Sequence, residues 1–192
     1  MGYSHYWAPS EPIEEGEFSG IFHDFSKLNS LEAGRIKDII RGPHGEGLPI
    51  ISDSLISFNG DRHCRHESDK KVLFYVPGKG EILTPSTLYG THVESSPVRT
   101  CSSGKCSCET ITLFSTANRK FVDLYEADND FFLGSVKTNY KPYDLAVQCL
   151  LIILNRHVQN CRISSDGDDE YWFDAKLLCQ MNLGYGLSFH LS

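Results

Sequence analysis

A chain of 192 residues with 40% hydrophobic and 22% charged residues has the make-up of one globular domain, not of a disordered polymer. At that length folding buries roughly 70% of the surface the unfolded chain exposes, so no staple is required to hold a core. The formal net charge of −7, with no basic run, leaves no footprint for a phosphate backbone or an anionic bilayer, and neither nucleic acid nor membrane is an expected partner.

In chain order, the opening MGYSHYWAPSEP lacks the basic segment and apolar stretch of a secretory signal, and no Ser or Thr stands at position 6 for myristoylation. A cytoplasmic location is therefore expected, where thiols stay reduced; seven cysteines, an odd number, do not suggest a disulfide framework. Within the opening, YSHYW reads as a strand with Tyr3, His5 and Trp7 on one face and Ser4 and Tyr6 on the other. The breakers in PSEP lead to a helix at about 12–32. Phe18, Ile21, Phe22, Phe25 and Leu28 recur there at helical spacing, and Glu14 and Glu15 suit the positive end of the helix dipole.

Residues 36–60 alternate Ile-rich runs with Gly-Pro and Gly-x-Gly punctuation, which predicts strand, tight loop and strand. GPHGEG in that stretch lacks the G-K-[ST] ending of a phosphate loop and reads as a hairpin turn. A further strand and turn are expected at 70–83. Residues 84–108, rich in Thr, Ser, Pro and Gly, have no periodicity and read as a long loop or insertion. ETITLFS, KFVDLYE and FFLGSVKT, at 109–115, 120–126 and 131–138, predict strands.

Pro142 suits the first position of a helix. The following YDLAVQCLLIILNRHV is apolar on nearly every face, so 143–158 is predicted as the buried central helix, packed on a sheet that holds Phe58 and Ile163. CRISSDGDD predicts a short strand and an acidic turn. EYWFDAKLLCQMNLGYG predicts an amphipathic helix stopped by Gly184, and LSFHL a closing strand. The sum is a single α+β domain: a mainly antiparallel sheet, a central buried helix and two further helices, with an insertion at about 61–108.

Four blocks, MGYSHYW, GPHGEGLPIISDSLISFNG, KPYDLAV and RISSDGDDEYWFDAKLLCQMNLGYG, resemble in order a family of bacterial and phage proteins. Those proteins open with MGYTHYW and carry K-P-Y-D and S-S-D-G motifs. The resemblance covers the chain ends and residues 42–60, not 61–108. It implies a compact domain that keeps its polar motifs together, and it assigns no activity.

Two groups of residues carry candidate chemistry. Cys64, Cys101, Cys106 and Cys108, with His63 or His66 as substitutes, offer soft ligands for a structural zinc; no other cofactor is indicated. C-x4-C-x-C is not a standard zinc knuckle, so a disulfide or redox pair and free thiols stay open as alternatives. Cys149 and Cys179 lie on apolar helix faces and read as core.

The second group is a polar pocket. His5 beside aromatic rings suits acid–base work, with Asp144 and Tyr143 at a helix start as its catalytic partners; the alternative is a half-buried strand histidine satisfied by a hydrogen bond, with Asp144 serving only the helix dipole. Tyr6, Asn59, Lys141, Ser165 and Asp166 are the expected ligand-binding residues, Lys141 by its charge near a helix N-terminus and Ser165 and Asp166 from the SSDGDD turn. SSDGDD lacks the spacing of a calcium loop and also reads as a solvated turn. The expected function is a small-molecule-binding domain with acid–base capacity. The alternative is a protein-interaction module displaying 61–108.

Overall fold

The structure, a computed structural model, describes residues 2–31, 36–64, 99, 101, 104–118 and 134–192. The strands expected at 70–83 and 120–126, most of the insertion, and His66 lie outside the described residues. The elements run β1 (Ser4–Ala8), α1 (Glu15–Ser30), α2 (Ile36–Ile39), a 3-10 turn (Pro43–Gly45), β2 (Ile50–Ile51), β3 (Leu55–Phe58), β4 (Ile111–Phe114) and β5 (Gly134–Lys137). They continue with α3 (Asp144–His157), β6 (Arg162–Ser165), a 3-10 turn (Asp169–Trp172) and α4 (Phe173–Leu183). The α+β class holds, with four helices and two three-stranded antiparallel sheets among the described residues.

The first sheet has the order β5-β1-β6 and the second β2-β3-β4. Phe58 and Ile163, expected on one sheet, therefore belong to different ones. Register explains the site geometry: His5 stands opposite Val136 on one side and Ser165 on the other. Because strand side chains alternate, Tyr3, His5 and Trp7 all turn inward and are buried, while Tyr6 is exposed.

α1 begins where Glu17 accepts the backbone N–H of Glu14 at 3.0 Å, and it buries Phe18, Ile21, Phe25 and Leu28 on one stripe. α3 is surrounded. Eleven of its fourteen residues, Asp144 to Leu154, are buried, as an all-apolar helix demands. It packs against α1 and α4. Asp24 ties three segments together: its Oδ2 accepts from His157 Nε2 at 2.8 Å and from Tyr185 Oη at 2.6 Å. Gly20 leaves the space that the His157 ring fills.

Several expectations are corrected. IKDI forms a helical turn where a strand was expected, because Ile36 and Ile39 at i and i+3 share one buried side. GPHGEG closes through the Gly42 N–H on the Gly47 carbonyl at 3.1 Å, with His44 held at φ 69° inside the 3-10 turn. Pro142 precedes α3 instead of opening it; the turn Asp144 N–H to Lys141 O, 2.9 Å, brings the chain in. The terminal LSFHL is not a strand. It turns through Phe189 N–H on Gly186 O at 3.0 Å and ends with Ser192 N–H on Ile163 O at 2.8 Å. Gly184 stops α4 as expected, in the left-handed conformation at φ 84°.

Candidate functional site

The residues expected to form one pocket separate into two places, and the start of α3 stands between them. His5 and Asp144 do converge. The His5 Nε2–H donates to Asp144 Oδ1 at 2.7 Å, with both side chains wholly buried. Thr138 Oγ1 donates to the same oxygen at 2.5 Å, and Arg99 Nε to Asp144 Oδ2 at 3.2 Å. On the other side of the ring, His5 Nδ1 lies 3.1 Å from Ser165 Oγ, which also accepts the Gly167 N–H at 3.3 Å.

Arg99 extends this network. Its remaining nitrogens donate to Gln148 Oε1 at 2.9 Å and Asp174 Oδ2 at 3.4 Å, and the side chain is 2% exposed. Gln148 in turn donates to Tyr3 Oη at 3.4 Å and to the Tyr171 carbonyl at 3.3 Å. Burial pushes the Asp144 carboxyl upward, but His5, Arg99 and Thr138 outweigh it and hold the group below the usual carboxylate value. Burial, and then the negative charge of Asp144, push the Tyr3 phenol well up.

Above the network, Tyr140 stacks on Tyr3 with centroids 4.0 Å apart and planes 12° apart. Tyr140 takes φ 55° to do so, a left-handed backbone that is strained for a bulky residue. Thr138 N–H and Asn139 N–H both donate to the Tyr3 carbonyl, at 2.9 and 3.0 Å, and fix the turn. At the outer edge, Asp166 accepts from the Ser4 N–H at 2.9 Å and Tyr6 Oη at 3.3 Å. Tyr6, Ser165 and Asp166 therefore neighbour the His5–Asp144 pair, but on the solvent side.

Lys141, Tyr143 and Asn59 serve the second place. Lys141 Nζ donates to the Lys105 carbonyl at 2.9 Å, and Tyr143 Oη to the carbonyls of Glu109 at 2.7 Å and Lys137 at 3.1 Å. These bonds fasten the 104–110 segment to the start of α3. Tyr143 is buried and its phenol is pushed far up, by burial first and by Cys108 and Asp144 next. Asn59 is a clip: Nδ2 donates to Cys108 O and Thr110 Oγ1, both at 3.2 Å, while Oδ1 accepts from Gly60 N–H at 2.7 Å and Cys108 N–H at 3.1 Å.

The clip and clamps bring three thiols together. The sulfurs of Cys64, Cys101 and Cys106 all lie within 4.8 Å of one another, a group that could hold a metal ion. Cys64 and Cys101 are 3.3 Å apart, well beyond the ~2.05 Å of a disulfide. Burial, and then the neighbouring thiol of Cys64, push the Cys101 and Cys106 thiols up. A bound cation reverses that logic, since it stabilises the thiolates that burial disfavours. Soft sulfur donors on converging segments fit zinc. Cys108 stands outside the group, exposed, and His63 turns away to Glu46 at 3.2 Å. Cys149 and Cys179 are buried core residues, as their helix faces imply.

Neither His5 nor Asp144 lines the clefts bounded by Tyr6 and Arg162, by Asn59 and Lys105, or by Asn155 and Tyr185. The one beside the thiols has a volume of about 500 Å³ and is lined by His44, Asn59, Arg62, Lys105, Thr110 and their neighbours. Searches against family models, curated proteins and solved structures returned no match.

Sequence reasoning missed Arg99, Thr138, Gln148 and Asp174. Arg99 sits in an aperiodic stretch, and Thr138 looks like an ordinary polar position just past a strand. Gln148 and Asp174 carried a faint signal, as polar residues inside apolar helical runs.

Proposed function

We propose that this protein is a small-molecule-binding domain whose ligand cleft is built on a zinc-pinned loop. The supporting observation is that the metal-capable thiols and the polar cleft share two chain segments, 59–64 and 104–110. Cys64 and Cys106 alternate along them with Asn59, Arg62, Lys105 and Thr110 of the cleft. Cys106 N–H on Asp61 O, at 2.8 Å, joins the segments directly. A metal on Cys64, Cys101 and Cys106 would fix the relative position of the cleft walls, and thiolate ligands favour zinc. The cleft volume of about 500 Å³ lies in the range usual for small-molecule sites.

The buried His5–Asp144–Arg99 network supports a structural role in this reading. Its groups are paired with one another and closed from solvent, whereas an acid–base pair must reach its substrate. Membership of the bacterial and phage family remains a proposal resting on the four sequence blocks.

Native mass spectrometry and elemental analysis of freshly purified protein test the reading. One zinc per chain is expected, lost in Cys101→Ser and Cys106→Ser and retained in Cys108→Ser. Protein isolated without chelator that carries no metal, with all seven thiols alkylated once the chain is unfolded, would sink the zinc assignment.

A further inference from the structure

We propose that the cleft beside the thiols takes a small oxyanion, a carboxylate or phosphate group; this rests on the cleft reading above and names its ligand class. The charge is the first ground. Arg62 and Lys105 place two permanent cations on the lining against one carboxylate, Glu109, in a chain whose formal net charge is −7. A locally positive cleft on an acidic molecule concentrates small anions there and repels them elsewhere.

Unused donors are the second ground. Glu109 is engaged, its Oε2 accepting the Lys137 N–H at 2.7 Å. Arg62 has only a loose contact with Glu46, at 3.7 Å, between side chains that are both more than half exposed. Such exposed pairs contribute ~0–1 kcal/mol and exchange readily for a better acceptor. Thr110 Oγ1 accepts from His44 N–H at 3.3 Å and Asn59 Nδ2 at 3.2 Å, which leaves its own O–H to donate. Among the described residues no side-chain bond engages the Lys105 ammonium. An ammonium, a guanidinium fork and a hydroxyl around one cleft match an oxyanion, since carboxylates and phosphates accept from several donors at once.

Backbone geometry is the third. His44 takes φ 69° in the Gly-rich turn, and the Thr110 bond to its N–H holds that turn against the cleft. Left-handed geometry is uncommon outside glycine, and strained positions gather where a structure positions a ligand.

The test is an NMR titration of the zinc-loaded full chain with inorganic phosphate and, separately, with succinate, at constant ionic strength set by chloride. Saturable shifts confined to the amides of His44, Lys105 and Thr110 are expected with one or both probes. Phosphate alone would define a phosphate site, and succinate alone or both a carboxylate-tolerant one. Arg62→Gln combined with Lys105→Gln should weaken binding at least tenfold, with zinc content and Tm unchanged because both residues are exposed. Zinc-loaded protein that gives no saturable shift with either probe would overturn the oxyanion class and leave the zinc assignment standing. Binding undiminished in the double variant would overturn it equally. Absence of zinc would instead strike the metal reading.

Discussion

Asp144 accepts from His5, Thr138 and Arg99 with its two oxygens, and it sits with no exposure at the first residue of α3. Removing its charge leaves Arg99 buried with Asp174 as its remaining carboxylate. Breaking a buried pair from one side typically costs ~3–5 kcal/mol. Asp144→Asn should therefore lose about that much in urea unfolding, whereas Lys27→Ala, on the exposed side of α1, should change stability by less than ~0.5 kcal/mol. Acid should show the same dependence. Asp24, Asp144 and Asp169 are each pushed up by burial but held below the ordinary value by their partners: Tyr185 and His157 for Asp24, His5 and Arg99 for Asp144, Lys176 for Asp169. A depressed folded pKa means that the unfolded chain takes up protons first. The stabilisation is then complete above the unfolded value of ~4 and is lost as pH falls through the lower folded values. Denaturant midpoints measured from pH 7 to pH 2 should stay level in this contribution to about pH 5 and decline steeply below about pH 4. A flat profile through that window would contradict the three assignments.

Among the elements, α3 carries the core and its start carries both polar regions. Leu150 and Leu151 are fully buried on α3, which packs against α1 and α4, and Leu150→Ala should cost ~2–5 kcal/mol, the spread reflecting how far neighbours close the cavity. A loss under ~1 kcal/mol would mean that the helix is not surrounded. At the other end, consecutive residues diverge: Tyr143 reaches toward the 104–110 segment while Asp144 turns into the His5 network. Gly60 is the corresponding close point in the loop. A Cβ there would collide with the Cys106 carbonyl, so the two backbones touch only because the residue is glycine. Gly60→Ala should displace Cys106 and, at the proposed zinc site, weaken metal affinity by about 10–100-fold, as changes to the support of metal ligands generally do. A competition titration against a chromophoric chelator measures that directly, and unchanged affinity would separate Gly60 from the thiol group.

For the molecule as a whole, the main cluster of buried side chains includes residues from α1, α3, α4 and both sheets, while the three thiols form a separate small cluster. Removing the proposed metal should therefore not unfold the domain. Hydrogen exchange with and without chelator should show faster exchange at 60–64 and 104–110, with α3 protected in both states. This contrasts with a zinc finger, where metal binding is in effect the folding free energy. Loss of protection throughout α3 on chelation would show that the thiol loop supports the core.

What could be read without coordinates is what local periodicity records. The apolar run 145–154 is a buried helix whatever surrounds it, and Phe18, Ile21, Phe25 and Leu28 declare the inner face of α1 by spacing alone. Alternation in YSHYW turned His5 inward, and Gly184 ended α4, because both follow from backbone geometry within a few residues. The IKDI segment went to helix because four residues carry too little period to decide and tertiary packing did. The division of Phe58 and Ile163 between two sheets was equally hidden, since strand pairing joins residues far apart in the chain. The sites follow the same rule. Composition marked the cysteines, and helix and strand positions marked His5, Asp144 and Ser165. Only the fold could set Arg99 between Asp144 and Asp174, 45 and 75 residues away, and leave Cys108 outside the thiol group, because hydrogen-bond partners and metal ligands are chosen by distance in space.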